Sequence, residues 1–188
     1  MPDDGVPVAA VRGARWRSLL EASADDWHAF YHLGLLRLAD EERDGARVAW
    51  ERSVAEEPNA WALRGLAHLT EEQTERAELL LSAHRLQPGL RELTVETLQA
   101  LLAAERAAEA VEVVAGLGLV DREHGRVRLH TAQAALATGD VERVRRMLDE
   151  GIAVDNLREG EDSLDVLWGA VYPDRALPGE YDFRMGGG

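Results

Sequence analysis

The chain of 188 residues sets 35 Asp and Glu against 21 basic residues for a net charge of −14, and every basic residue is Arg. Such an acidic surface repels phosphate backbones and anionic lipid, so no nucleic acid and no membrane is expected as a partner. Hydrophobic content of 46% is that of a folded globular chain, and the absence of Cys excludes disulfides, thiolate metal sites and thiol nucleophiles.

Residues 1–12 are expected to be a flexible N-terminus. The start, MPDDGVPVAAVRG, has neither the basic region nor the apolar core of a leader, and no apolar run reaches the roughly 18–20 residues of a membrane span, so the chain is read as cytoplasmic. From Gly13, GARWRSLLEAS predicts a helix. It is echoed by GARVAWERSVA from Gly45, an offset of 32 (45 − 13). Asp25-Asp26 suits the N-cap of the helix between them. Pro and Gly then fall in EPNAW, QPGLR, GLGLVDREHG and ATGDVE, and the stretches between these read as amphipathic helices. Asp44, Asp121 and Asp140 are further predicted N-caps, and Thr70 to Gln73 has the pattern of a capping box. AVEVVAGLGLV could be mistaken for a strand. Ala110, Val113, Val114 and Leu117 share one helical face, which predicts a helix to about Ala115.

Four of these helices carry one signal. Ala46, Ala77, Ala110 and Val144 each stand four residues before a larger apolar residue (Trp50, Leu81, Val114 and Leu148). The steps between them are 31, 33 and 34 residues (77 − 46, 110 − 77, 144 − 110). Two helices per period in the low thirties mark a helix–turn–helix repeat.

The stretch from Tyr31 to Trp61 resembles a tetratricopeptide repeat (TPR). Phe30, Leu33 and Gly34 match the first helix of that family, Ala46 and Trp50 the small and large residues of the second, and Pro58 the helix-ending proline. Leu63, Leu66, Ala67, Ala77, Leu81 and Pro88 are matched to a second unit. Two further units are looser, with Thr94, Gln99 and Arg128 as poor substitutes and Ala132, Ala135 and Gly139-Asp140 as good ones. The resemblance implies an all-α, right-handed superhelical array of TPR-like hairpins over residues 13–155, with a C-terminal capping segment over 156–185 and a flexible tail at 186–188. Within the cap, Ser163 can start a short helix whose Leu164, Leu167 and Trp168 form an apolar stripe. With REGE and DFRM, this tail also resembles the C-terminal TPR region of large bacterial glycoside-hydrolase-like proteins that carry a domain of unknown function.

Chemistry-bearing patterns are sparse. His28 and His32 lie four apart, a metal-binding spacing, but no third ligand completes a site, so packing is the preferred reading and no metal or cofactor is expected. Asp25-Asp26 and Glu159/Glu161 are paired carboxylates of the kind glycosidases use; they read better as a cap and as a loop held by Arg158. The expected function is therefore non-enzymatic: a scaffold holding a protein or peptide partner. By resemblance to TPR binding, the groove candidates are His28, Tyr31 and Leu35 from the first unit, Trp61, Arg64 and His68 from the second, and Arg126 and Gln133 further on. Two alternatives stand beside it: an accessory domain of a carbohydrate-active enzyme system, and a self-associating homo-oligomer.

Overall fold

A computed structural model describes residues 13–23, 25–154 and 163–181, and these are all-helical, with no strand among the described residues. The helices are α1 (Ala14–Ser23), α2 (Trp27–Ala39), α3 (Arg43–Glu56), α4 (Ala60–Leu69), α5 (Gln73–Leu86), α6 (Arg91–Ala103), α7 (Ala107–Gly116), α8 (Leu119–Arg122), α9 (Gly125–Ala137), α10 (Val141–Glu150) and α11 (Ser163–Val171), followed by a 3-10 turn at Gly179–Tyr181. AVEVVAGLGLV forms α7 and the start of α8. Two compact units divide at Gln87 and Pro88. Among the described residues no helix is long and apolar enough to cross a membrane. The expected flexible ends at 1–12 and 186–188, and Arg158, Glu159 and Glu161, lie outside the described residues.

In the first unit α2 packs on α3, α3 on α4 and α4 on α5, with α1 against α2. The centre is Trp50, 1% exposed, on α3. A Cβ added at Gly34 on α2 would come within 2.3 Å of the Trp50 indole nitrogen, and one at Gly65 on α4 within 2.7 Å of its ring. The indole thus fills a slot that exists because both neighbouring helices lack a side chain there. Its Nε1 donates to the Tyr31 carbonyl at 3.2 Å, so the buried polar edge is satisfied. Around it pack Ala46, Ala62, Leu66 and Leu69. The residue that mirrors Gly34 in the second hairpin is Gly65, since each stands twelve before its small anchor (46 − 34, 77 − 65), and this corrects the match to Leu66 and Ala67.

The second unit is built on α9, which packs against α6, α7, α10 and α11. Leu129, Ala132, Ala135, Val144 and Leu148 form its core together with Leu164, Leu167 and Val171 of α11. α11 therefore buries Leu164 and Leu167, as expected of its apolar stripe. Trp168 is only half-buried: its ring leans on Tyr172 and Tyr181, with centroids 4.6 and 5.9 Å away, and its Nε1 donates to the Arg175 carbonyl at 3.4 Å. The tail is anchored at Tyr181, whose hydroxyl accepts from Ile152 N and donates to the Leu148 carbonyl, both at 3.1 Å. One side chain thus satisfies two backbone groups at the end of α10.

Within each unit the small anchors meet the same fate. Ala46, Ala77, Ala110 and Val144 are all 0% exposed, and Trp50, Leu81, Val114 and Leu148 are buried beside them in sequence. The turns repeat too. Residues 40–42, 104–106 and 138–140 each place a left-handed residue in the middle, Glu41 (φ +65°), Glu105 (φ +59°) and Gly139 (φ +82°). In all three, the middle N–H bonds three residues back and the next N–H bonds five back at 2.8 Å. This is the paired closure of a Schellman turn. The turn at 70–72 differs: Thr70 is extended, and its hydroxyl donates back to the Leu66 carbonyl.

Capping departs from the sequence reading at three points. Thr70 ends α4 instead of opening α5, and Glu72 is the N-cap, accepting from Thr74 N and Glu75 N. These bonds to its ionised form hold the Glu72 carboxyl below its ordinary pKa. Asp44 lies inside the first turn of α3, where it faces the positive end of the helix without capping it. Asp121 sits within α8 and accepts from Arg91. Asp26 and Asp140 cap as expected, accepting from Ala29 N at 2.7 Å and Arg143 N at 3.2 Å.

Candidate functional site

An open groove of about 540 Å³ lies between α6, α9 and α11 of the second unit. Gln99 and Leu102 come from α6; Arg126, His130, Gln133 and Leu136 from α9; Ser163, Val166 and Leu167 from α11. The placement follows from helix periodicity. Arg126, His130, Gln133 and Ala137 recur every three or four residues and so share one face, while Leu129, Ala132 and Ala135 on the other face enter the core. His130 is 7% exposed, and its Nδ1 lies 2.8 Å from Gln133 Oε1. A carboxamide oxygen only accepts, so the ring nitrogen donates and holds the Gln133 side chain in place. Val166, 60% exposed, gives the α11 wall an apolar edge.

In the first unit the six candidates form two rows, each with three- and four-residue steps: His28, Tyr31 and Leu35 on α2, and Trp61, Arg64 and His68 on α4. Tyr31 and Leu35 pack against the Trp50 cluster and are half-buried. Burial raises the pKa of the Tyr31 phenol, and the positive charge of Arg64 acts on it in the opposite sense. His28 is exposed and stacked on Trp27 with ring centroids 3.4 Å apart. His68 is exposed, while Trp61 and Arg64 are half-buried. His32, the other member of the pair considered for a metal, is held below its ordinary pKa by burial and by His28, with Asp26 opposing. Its Nδ1 is buried without a hydrogen-bond partner. Among the described residues, no group of three or more His, Asp or Glu could hold a metal ion.

A smaller cleft of about 330 Å³ lies between α1, α2 and α3, on the side of α2 that carries Phe30, Leu33 and Arg37. Arg52 crosses the Phe30 ring there at 5.8 Å, and Arg37 reaches Glu21 at 3.6 Å. None of the six candidates lines it.

Arg126 and Gln133, the two later candidates, are thus the ones that line the groove of the second unit. Sequence reading passed over Gln99, Leu102, Leu136, Ser163 and Val166. A signal was present for two pairs: Gln99 and Gln133, and Leu102 and Leu136, are each 34 residues apart (133 − 99, 136 − 102), the same step that links Ala110 to Val144. No family model and no curated protein matches the chain.

Proposed function

We propose that the chain is a non-enzymatic recognition module made of TPR-like hairpins of a right-handed superhelical array, and that it binds a segment of a protein partner. The observation that carries this reading is the groove of the second unit, where aligned side chains from two parallel-repeating helices and a capping helix present amides, a guanidinium and an imidazole over leucines. Such a lining offers hydrogen bonds and an apolar floor along its length, which suits holding a chain. The recurrence of fully buried small anchors and of the Schellman turns supports the hairpin reading.

A photo-crosslinking residue placed at Gln133, compared with one at exposed Glu142 on α10, tests the proposal in native lysate. The expected result is a discrete protein adduct from position 133 that is absent from position 142, with the crosslink mapping to one segment of the captured protein. Equal, diffuse labelling from both positions would remove the groove from consideration.

A further inference from the structure

The hairpins α2–α3, α4–α5, α6–α7 and α9–α10 each pair a first helix with a second, and a lone helix flanks this series at either end. α6, α9 and α11 end at Ala103, Ala137 and Val171, each 34 residues on (137 − 103, 171 − 137). α11 packs on α9 and α10 as α9 packs on α6 and α7, so it stands as the first helix of another hairpin. Its exposed face is the one a second helix would cover. Leu98 and Leu101 on α6, and Ala132 and Ala135 on α9, are at most 1% exposed. Val166 and Gly169 hold the same positions on α11 (166 − 132, 169 − 135), yet Val166 is 60% exposed and a Cβ built on Gly169 meets nothing within 4 Å. Among the described residues no α-helix follows α11. α1 has the opposite character. Its GARWRSLLEAS echoes GARVAWERSVA of α3, a second helix, and it packs on α2 as α3 packs on α4. Among the described residues no first helix precedes it, and its Trp16 is 49% exposed.

We infer that a second copy of this chain supplies the missing partner: α1 of one copy packs on α11 of the next, completing a hairpin across two molecules. The Trp16 indole seats on the exposed face of Val166, Gly169 and Ala170, which recur at helical spacing. A large side chain meets small ones there, as Trp50 meets Gly34 within the first hairpin. Charge selects the same pairing. Arg15 is exposed beside Trp16, Asp165 is half-buried beside Val166, and neither is in an ion pair among the described residues. At a net charge of −14 two copies repel over most of their surfaces. Setting α1 against α11 brings opposite charges together, whereas α1 against α1, or α11 against α11, brings like charges together. The contact is heterologous, so each added copy presents a fresh end and growth stops only when a ring closes. Helices of 10 and 9 residues make a small interface, which keeps the association reversible. Neither Trp16 nor Gly169 lines the groove, so this contact and segment binding are independent.

Sedimentation equilibrium of the intact chain tests this. Its average mass should rise above the 20.7 kDa of one chain over about 10–500 µM. Trp16→Glu blocks the α1 end and Gly169→Arg the α11 end; both positions are exposed, so the thermal melts should match that of the unaltered chain. Each variant alone should stay monomeric. Mixed in equal amounts they should form a dimer and nothing larger, because one intact α1 then meets one intact α11. The charged pair gives a second reading that needs neither variant. Arg15→Glu and Asp165→Arg should each weaken the association several-fold, and the chain carrying both should recover it. An unaltered chain that stays monomeric throughout overturns the inference. So does self-association of either blocked variant alone, the mark of a symmetric or unrelated contact. A mixture that remains monomeric with both melts unchanged, or charge reversals whose losses simply add, overturns it as well. Crosslinking from position 133 is untouched by any of these outcomes, so the groove reading stands or falls separately.

Discussion

The two units solve the same packing problem with opposite choices of residue size. In the first, one indole fills the slot and the helices beside it give up their side chains at Gly34 and Gly65. In the second, the repeat register places Val114 and Leu148 where Trp50 stands, and Leu98 and Ala132 where the glycines stand, all of them buried. Volume has moved from the second helix of the hairpin to the first. Interiors are close-packed, so the total filling a crossing is constrained more tightly than the identity of any contributor. A repeat found by residue type alone therefore fades from the first unit to the second, although the hairpins persist.

The largest expected effects come from breaking the Trp50 slot. Trp50→Ala should cost about 3–5 kcal/mol, because the glycines leave nothing to collapse into the space. Gly34→Ala alone should cost about 1–3 kcal/mol or more, since the new methyl meets a ring that is held in place by its bond to the Tyr31 carbonyl. Carrying the second unit's solution into the first sharpens the comparison: in a Trp50→Leu background, the same Gly34→Ala change should cost little or restore stability. Denaturant melts of the four-member cycle measure the coupling. Additive losses would show that Trp50 and Gly34 do not share a slot.

The second unit has its own device in the returning tail. Tyr181→Phe removes a hydroxyl serving both Ile152 N and the Leu148 carbonyl, and should cost about 1–3 kcal/mol, chiefly because the Ile152 amide loses its partner while the Leu148 carbonyl keeps Gly151 N. Hydrogen exchange should then rise at Ile152. If the amide stays protected in the variant, another acceptor holds it and the tail is fastened elsewhere. Tyr172 makes the neighbouring attachment, its hydroxyl donating to Asp149 Oδ1 at 2.5 Å, and this bond with burial raises its pKa. The apolar stripe of α11 was legible as SLDVLW, because helical spacing exposes it directly. The tyrosine anchorage was not, since Tyr181 and Leu148 are joined only by folding.

Turn chemistry shows the same boundary between what is local and what is not. ATGDVE announces its turn because Gly139 is the residue that tolerates a left-handed backbone at no steric cost. The corresponding turns at Glu41 and Glu105 put an ordinary side chain in that conformation, and nothing in their sequence marks it. Gly65 was missed for a related reason: α4 is shorter than α2, so counting from the helix start misplaces its positions. The groove was half-legible. Arg126 and Gln133 were identified as candidates, but Gln99 read only as a poor substitute in a looser repeat, since its place in the groove depends on standing beside Gln133. Exchanging the turns tests their equivalence. Gly139→Ala should cost about 1–2 kcal/mol, and Glu105→Gly should gain up to about 1 kcal/mol, the left-handed penalty less the entropy of a glycine. Thermal melts of both variants suffice; a loss from Glu105→Gly would mean that its side chain contributes more than its strained backbone costs.

The smallest expected effect separates the units by pH. His32 and His84 belong to the first unit, and burial lowers the pKa of each; for His32, the neighbouring His28 adds to the shift and Asp26 opposes it. An unfolded histidine titrates near about 6.5. Above that value both states are neutral and the contribution of these residues is complete. As pH falls through 6.5 toward the lower folded values, the unfolded chain takes up protons that the folded one resists, so stability is lost. Amide exchange at α2 and α5 should therefore quicken between about pH 7 and pH 5.5, above the range in which ordinary carboxylates titrate. Replacing His84 by Gln removes one of the two titrations and should flatten the response at α5. The response at α2 should persist until His32 is replaced as well. Protection at both helices that stays constant over this interval in the unaltered chain would show that neither imidazole is held neutral by the fold.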